Sequence, residues 1–142
     1  MKFDVSPPRQ RAIVWFADGP AKGPWWMHLL KPGYRHCGAL IEDMHTDVAS
    51  GHEIWVGINP RMGGTEVDVW ATHNIDELLA QLKDPRWDVS RMIITRVDPP
   101  DPKRPYAWFP CTCVEQIKRA LGVRGWWIWT PWQLYRRIAN VA

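Results

Sequence analysis

The sequence predicts an α+β domain in which helices pack on a mainly antiparallel sheet. Short apolar runs with strand-like alternation recur along most of the chain, and turn residues connect them. Two segments near the C-terminal end instead have helical periodicity between cap residues. With 142 residues, of which 46% are hydrophobic and 23% charged, the chain has the length and composition of one globular domain. We therefore expect a single domain over residues 1–142.

Five segments have the apolar or alternating pattern of β-strands and are bounded by Gly, Pro, Asn or Asp. A polar loop joins the second segment to the third, which predicts a hairpin. A register that pairs His36 with Asn59 also pairs Glu42 with Glu53. In this register the first residue of one strand, His36, lies next to the last residue of the other, Asn59. The five predicted strands are Ala12–Phe16, His36–Glu42, Glu53–Asn59, Thr65–Trp70 and Arg91–Val97.

Two helices are predicted in the first part of the chain. Trp25–Leu30 is short and is followed by the helix-ending pair Pro32 and Gly33. Ile75–Leu82 carries apolar residues at helical spacing after Asn74, which is a favourable N-cap.

Two further helices are predicted after residues 98–110, whose five prolines indicate an extended connecting strap within the domain. Thr112 and Glu115 have the spacing of a capping box, and Gly122 is placed to end that helix. Thr130 and Pro131 are suited to open the last one, which continues through Arg137. The apolar stripe of the first of these helices consists of Val114, Ile117 and Leu121.

Charge and hydropathy exclude several classes of function. Basic residues number 18 and acidic residues 15, so the net charge is +3. The basic side chains lie in short pairs, which favours solvated surface charge over nucleic-acid binding. The apolar runs are far shorter than the roughly 18 residues of a membrane span. No signal-peptide pattern follows Lys2, so we expect synthesis in the cytoplasm without a signal peptide.

Cys113 is the candidate nucleophile. If Thr112 caps its helix, Cys113 is the first helical residue, and its sulfur faces unpaired N–H groups and the positive end of the helix dipole. These fields favour the thiolate, which is the reactive form of cysteine. The same N–H groups are suited to stabilise an oxyanion.

A cysteine nucleophile needs a base and a group that orients the base, and the predicted hairpin supplies both. His36 begins one strand and Asn59 ends the next, with both side chains on one face. Gly38 shares that face and leaves room for a helix to approach. Cys37 points to the opposite face, which favours a core position. Asp68 on the following strand is the reserve orienting residue.

The motifs His36-Cys-Gly-Ala-Leu and Thr112-Cys-Val-Glu-Gln-Ile, with the polar Asn59 between them, resemble circularly permuted papain-like proteins of the NlpC/P60 superfamily. A wider pattern is similar to small proteins encoded by tailed bacteriophages and prophages. It comprises Trp25-Trp26, Pro32-Gly-Tyr-Arg-His-Cys, Asn59-Pro60 and Trp129-Thr-Pro-Trp-Gln-Leu-Tyr-Arg.

The resemblance implies a permuted papain-like fold and a thiol-dependent peptidase or amidase that needs no cofactor. Cys113 would be the nucleophile, His36 the base and Asn59 the orienting group, acting on a peptide or amide substrate. The Asp-Cys-Ser-Gly motif typical of peptidoglycan peptidases is absent, so a cell-wall substrate is not implied. The alternative is a non-catalytic phage virion or tail-associated structural or adaptor protein, whose partners would be other virion proteins.

A zinc site is a rival interpretation, since the four residues His36, Cys37, Cys111 and Cys113 have ligand side chains. The C-x-C spacing is tighter than that of usual zinc knuckles, and adjacent strand residues point to opposite faces. We therefore expect no metal.

The many tryptophans near the C-terminal end suggest a second rival interpretation, a non-catalytic interaction surface. Large aromatic residues are more often buried than exposed, so we expect most of this set in the core. The set consists of Trp126, Trp127, Trp129 and Trp132.

Overall fold

The computed structural model describes residues 9–19, 23–43, 49–61, 64–98 and 112–141. These residues form a five-stranded antiparallel sheet with three α-helices, which confirms the α+β class. The strands are β1 (Arg11–Ala17), β2 (His36–Glu42), β3 (Glu53–Arg61), β4 (Gly64–Thr72) and β5 (Val89–Arg96). The helices are α1 (Ile75–Leu82), α2 (Cys113–Leu121) and α3 (Pro131–Ala139), with short 3₁₀ helices at Trp25–Leu29 and Pro85–Trp87.

The strand order is β4-β3-β2-β1-β5, with every neighbouring pair antiparallel. Of the predicted strap 98–110, only Asp98 lies within the described residues, and Cys111 lies outside them. In the described ranges, no helix combines the length and hydropathy that a membrane span requires.

The sheet carries a hydrophobic core on each face, because alternate residues of a strand point to opposite sides. On one face, Cys37 and Ala39 of β2 pack with β1 against buried residues of α2 and α3. On the other face, α1 covers Leu40 and Trp55. The buried helix residues are Val114, Ile117, Leu121, Leu134 and Ile138 on the first face, and Leu78 and Leu82 on the second.

Both ends of α2 are fixed by the residues that the sequence singled out. The Thr112 hydroxyl accepts a hydrogen bond from the Glu115 N–H at 3.2 Å, so Cys113 is the first helical residue. At the other end, Gly122 has a φ of 69°, a conformation that favours glycine. A Cβ at this position would also lie 2.5 Å from the Asp98 carbonyl oxygen. The predicted N-cap Thr112 and the predicted terminating Gly122 are therefore confirmed, whereas the Glu115 carboxylate accepts from Lys118 at 2.9 Å and from Arg119 at 3.2 Å.

The register predicted for the β2–β3 hairpin is wrong by two residues. Trp55, not Glu53, lies opposite Glu42. The predicted register would set two carboxylates directly opposite each other, which is destabilising. In the structure Arg11 lies between them and contacts Glu42 at 2.6 Å and Glu53 at 3.1 Å. A shift of two residues leaves every side chain on its predicted face.

The sequence suggested that a helix approaches Gly38, but the space beside Gly38 is filled by a side chain of the neighbouring strand. A Cβ at residue 38 would lie 2.1 Å from Cζ2 of Trp15 on the adjacent strand. The Trp15 ring also meets the His36 ring edge to face, with centroids 5.5 Å apart. Gly38 therefore allows an indole to lie against the imidazole.

Three of the four C-terminal tryptophans are exposed, so the expectation that most of them are core residues is wrong. The segment between α2 and α3 buries Ile128, whose carbonyl accepts a hydrogen bond from the buried Lys118 ammonium at 3.3 Å. The side chains on either side of Ile128 consequently face solvent. The exposed fractions are 80% for Trp126, 55% for Trp127 and 59% for Trp129, whereas Trp132 stacks on Tyr135.

We predict that Ile117→Ala lowers the free energy of unfolding by about 2–5 kcal/mol, because it leaves a cavity between α2 and the sheet. Chemical denaturation followed by circular dichroism measures the change. Ile94→Ala is the matched control, since Ile94 is 46% exposed and should cost less than about 1 kcal/mol. Equal losses for the two variants would contradict the placement of α2.

Candidate active site

The structure brings His36 and Asn59 together as the sequence predicted. His36 Nε2 lies 2.9 Å from Asn59 Oδ1. The amide nitrogen of Asn59 donates to Glu66 on β4 at 3.1 Å, and Arg61 contacts the same carboxylate oxygen at 2.8 Å. Because the amide nitrogen is directed at Glu66, the amide oxygen faces the imidazole and accepts its Nε2–H. The orientation of His36 is therefore set from β3 and β4.

Cys113 lies against both His36 and Cys37. Cys113 packs against the core cluster that contains Cys37, and its thiol is close enough to the His36 imidazole and to the Cys37 thiol for each of them to change its pKa. Since Nε2 of His36 is directed at Asn59, Nδ1 is the ring nitrogen left for the sulfur. Cys113 is half-buried, whereas Cys37 is fully buried. The arrangement is a linear series of contacts from Cys37 through Cys113 and His36 to Asn59.

The hydrogen bonds around Cys113 favour its thiolate. The Cys37 thiol is the largest influence, and together with the hydrogen bond and charge of His36 and the Cys37 N–H it lowers the pKa of Cys113 to about 5. Burial acts in the opposite direction but is outweighed. Burial and the neighbouring sulfur raise the pKa of Cys37 well above its usual value. One thiol of the pair therefore ionises readily and the other stays neutral.

The imidazole complements this thiolate. Burial by itself lowers the pKa of His36, but hydrogen bonds to Cys113 and Asn59 and the charge on Cys113 together raise it above its usual value. Between about pH 5 and this raised pKa, the pair is a thiolate and an imidazolium. That is the protonation state that a cysteine nucleophile with a histidine partner requires.

Cys113 contacts two consecutive strand residues because it lies where β2 begins. Strand alternation puts Cys37 on the α2 face and His36 on the α1 face beside Trp15. A single side chain reaches both only at the end of the strand. The core position of Cys37 is confirmed.

The zinc interpretation gains no geometric support within the described part of the chain. His36, Cys37 and Cys113 meet, but no group of three or more His, Cys, Asp or Glu side chains in these ranges could hold a metal ion. The fourth proposed ligand, Cys111, lies outside the described residues.

Three residues of the site were not identified from the sequence as members of it. Cys37 stands beside His36 in the chain, but the alternation rule assigned it to packing alone. Glu66 holds Asn59, and pairing β3 with β4 as neighbouring antiparallel strands places these two residues opposite each other. No pattern in the sequence marked Trp15 as a residue of the site. Asp68, the reserve orienting residue, lies opposite Gly57, and Asn59 takes its proposed role.

A cavity of about 250 Å³ lies near the beginning of β2. Gly19 lines it, and a Cβ on Gly19 would lie 3.6 Å from the His36 Cβ. Arg35 and Asp18, 3.8 Å apart, contribute opposite charges. The cavity therefore has charged groups in its wall close to His36. Its other lining residues are Gly23, Met27, His28 and Asp88.

We predict that Cys113 is the fastest thiol to react with iodoacetamide at about pH 6–7, because it is already a thiolate there. Its rate should rise as the pH passes about 5. His36→Ala and Cys37→Ala should each move this rise to higher pH, since each removes a group that favours the thiolate. Peptide mapping of alkylated protein over a pH series measures the three cysteines separately.

His73→Ala is the matched control for the histidine variant, because His73 is exposed and lies between β4 and α1. Cys37→Ser keeps a side-chain donor and should restore part of the shift caused by Cys37→Ala. Equally slow reaction of all three thiols would contradict the activation of Cys113.

No protein-family model, curated protein or solved structure matches this chain. The relationship to permuted papain-like proteins accordingly stays a prediction based on the sequence motifs.

Proposed function

We propose that this protein is a thiol-dependent hydrolase of peptide or amide bonds with a permuted papain-like arrangement. Cys113 is the nucleophile, His36 the base and Asn59 the orienting group. The observation that carries the proposal is the hydrogen bond of 2.9 Å between His36 Nε2 and Asn59 Oδ1, with the Cys113 thiol at the start of α2 close enough to the imidazole to change its pKa. These residue types in this order of contact supply a nucleophile, a proton carrier and a group that fixes the carrier.

The first half-reaction forms an acyl-enzyme. The Cys113 thiolate attacks the carbonyl carbon of the scissile amide, and the carbonyl oxygen becomes an oxyanion. The N–H groups of Cys113 and Val114, in the first turn of α2, have no acceptor within the helix and are placed to stabilise that charge. The His36 imidazolium then donates its proton to the leaving amine, and the C–N bond breaks.

The second half-reaction releases the acid. Neutral His36 takes a proton from water, whose oxygen attacks the thioester carbonyl, and the C–S bond breaks to restore the thiolate. Throughout, Asn59 holds the imidazole through Nε2 so that Nδ1 stays directed at the sulfur. The edge of the Trp15 ring limits the other orientations of the imidazole.

The chain order supports a permuted arrangement. The strand residues His36 and Asn59 precede the helix that begins with Cys113. This is the order that the motifs suggested, and it agrees with the resemblance to small phage-encoded proteins. Incorporation into a phage virion is part of the same proposal.

We predict that Cys113→Ser and His36→Ala each lower amide hydrolysis by at least about 10³-fold, because nucleophile and base act as one unit. The substrate probe is a complex pool of synthetic peptides with free and blocked ends, and mass spectrometry of the pool detects cleavage. Asn59→Ala should cause a smaller loss, since it disturbs only the orientation of His36. His73→Ala, remote from the site, should keep full activity. Cleavage that persists in Cys113→Ser would refute the assignment.

We expect hydrolysis to rise as the pH passes about 5, where the thiolate forms, and to fall above the raised pKa of His36, where the proton for the leaving amine is lost. Initial rates from pH 4 to 10 measure the profile. In His36→Gln the falling limb should disappear along with most of the activity. If the rate of His36→Gln still falls at the same high pH, a group other than His36 donates the proton to the leaving amine.

The zinc alternative predicts a different response to chelation. In the hydrolase proposed here, treatment with a strong chelator leaves the melting temperature and the cleavage rate unchanged, because the site works through side chains alone. Metal analysis of the purified protein and a thermal melt with and without chelator measure this. A large loss of stability would favour zinc.

One observation favours a second candidate function, that of a non-catalytic virion or tail-associated adaptor. Trp126, Trp127 and Trp129 are exposed in one short segment, and exposed tryptophans are typical of binding hot spots. A purified protein that cleaves no peptide, and whose Cys113 reacts no faster than an ordinary thiol, would favour the adaptor.

A further inference from the structure

Cys37 is a fully buried thiol that the hydrolytic mechanism uses only as a hydrogen-bond donor. It adjoins the sulfur of Cys113 in the core between β2 and α2. A thiol placed beside a nucleophilic cysteine is also placed to attack that cysteine after oxidation. The pair therefore has a second chemistry open to it, in which the partner sulfur is already in position.

We propose that Cys113 is a site of reversible oxidation by peroxides, and that Cys37 resolves the oxidised form into a Cys37–Cys113 disulfide that switches the nucleophile off. The inference rests on the proposed function only in taking Cys113 as the reactive thiolate. Its chemistry requires a peroxide but no amide substrate.

The reaction proceeds in two balanced steps. The Cys113 thiolate attacks one oxygen of hydrogen peroxide, the O–O bond breaks, and the products are a Cys113 sulfenic acid and hydroxide. The Cys37 sulfur then attacks the sulfenic sulfur, the S–O bond breaks, and the Cys37 proton leaves with the hydroxyl group as water. Two electrons pass from the two thiols to the peroxide, and a dithiol reductant reverses the result.

Burial assigns the two sulfurs to different roles. Cys113 is half-buried, so a small oxidant reaches it, whereas Cys37 is fully shielded from solvent. Burial also raises the pKa of Cys37, so this thiol stays protonated and unreactive towards the oxidant itself. Oxidation is therefore expected to begin at Cys113.

The packing puts the two cysteines on facing elements. Cys113 packs against the core cluster that contains Cys37, and a disulfide would bring the two sulfurs to about 2.05 Å. Cys37 is the second residue of β2 and Cys113 the first of α2, so the shift falls at the ends of two elements rather than in their middles. The disulfide removes the thiolate and with it the partner of His36.

The test exposes the full chain to increasing hydrogen peroxide and maps its cysteines by mass spectrometry without reduction. In the unaltered protein we expect a Cys37–Cys113 cross-link with a mass loss of about 2 Da, fully reversed by dithiothreitol. In Cys37→Ala, Cys113 should instead gain about 32 or 48 Da as sulfinic or sulfonic acid. That irreversible product should be about 10-fold more abundant than in the unaltered protein.

Cys111→Ser is the matched control, because it removes the other thiol in the C-x-C pair and should leave the Cys37–Cys113 cross-link intact. Cys37→Ser, which nearly preserves the side-chain volume, replaces Cys37→Ala if the latter does not fold. A Cys111–Cys113 cross-link, or equal irreversible oxidation with and without Cys37, would overturn the proposal.

Peptide cleavage measured on the same samples separates the two proposals. A reversible Cys37–Cys113 cross-link in a protein that cleaves nothing would leave this inference standing and remove the hydrolase. Cleavage that continues unchanged while Cys113 is converted to sulfinic acid would remove both the switch and the nucleophile. Cleavage that is lost with the cross-link and restored by dithiothreitol supports both.

Discussion

The contact between the first turn of α2 and the beginning of β2 is the constraint on which the site depends. It is held from a distance, by Ile117 and Leu121 in the core and by Gly122 against the Asp98 carbonyl. Because α2 is only nine residues long, a small tilt at its far end displaces Cys113 relative to β2. Packing one or two turns away therefore decides whether the sulfur meets His36 and Cys37. The Thr112 cap in turn determines that the helix begins at Cys113.

Hydrogen bonding and burial oppose each other at this contact, and their balance divides the two thiols into different roles. Burial disfavours a thiolate at both sulfurs. Only Cys113 has an imidazole beside it and accepts a backbone N–H, so the negative charge settles there. Once it does, that charge suppresses the ionisation of Cys37, which improves Cys37 as a donor. The asymmetry thus reinforces itself.

Local patterns in the sequence were enough to place the elements of the fold, because strand alternation, helix periodicity and cap residues act over a few neighbouring positions. The same patterns placed His36 and Asn59 on one face of the sheet. Successive side chains alternate between the two faces, so an error of two residues in the register leaves each side chain on its predicted face. The exact register of β2 against β3 depended on Arg11, a residue of β1 that contacts Glu53. The exposure of Trp126 depended on the burial of Ile128 in the same segment. Such competition between distant residues leaves no periodic trace in the sequence. Cys37 was correctly assigned to the core, but its proximity to Cys113 was not foreseen, because the alternation rule describes the interior of a strand and this residue lies next to its end.

The end of a strand is also where a sheet can offer one helix the side chains of both its faces. In the middle of β2, a sulfur on the α2 side would meet Cys37 or Ala39 but never a residue on the α1 side. At residue 36 no further strand residue blocks the way, so the imidazole can turn towards α2 while its other nitrogen stays held from β3. That hold must itself be rigid, since a base that is free to rotate would leave the thiolate. Glu66 supplies the rigidity by accepting from Asn59 across to β4, and Arg61 on β3 holds the same Glu66 carboxylate. The site lies at this corner of the sheet because Cys37 belongs to one face of β2 and His36 to the other, and a single side chain of α2 lies close to both only there.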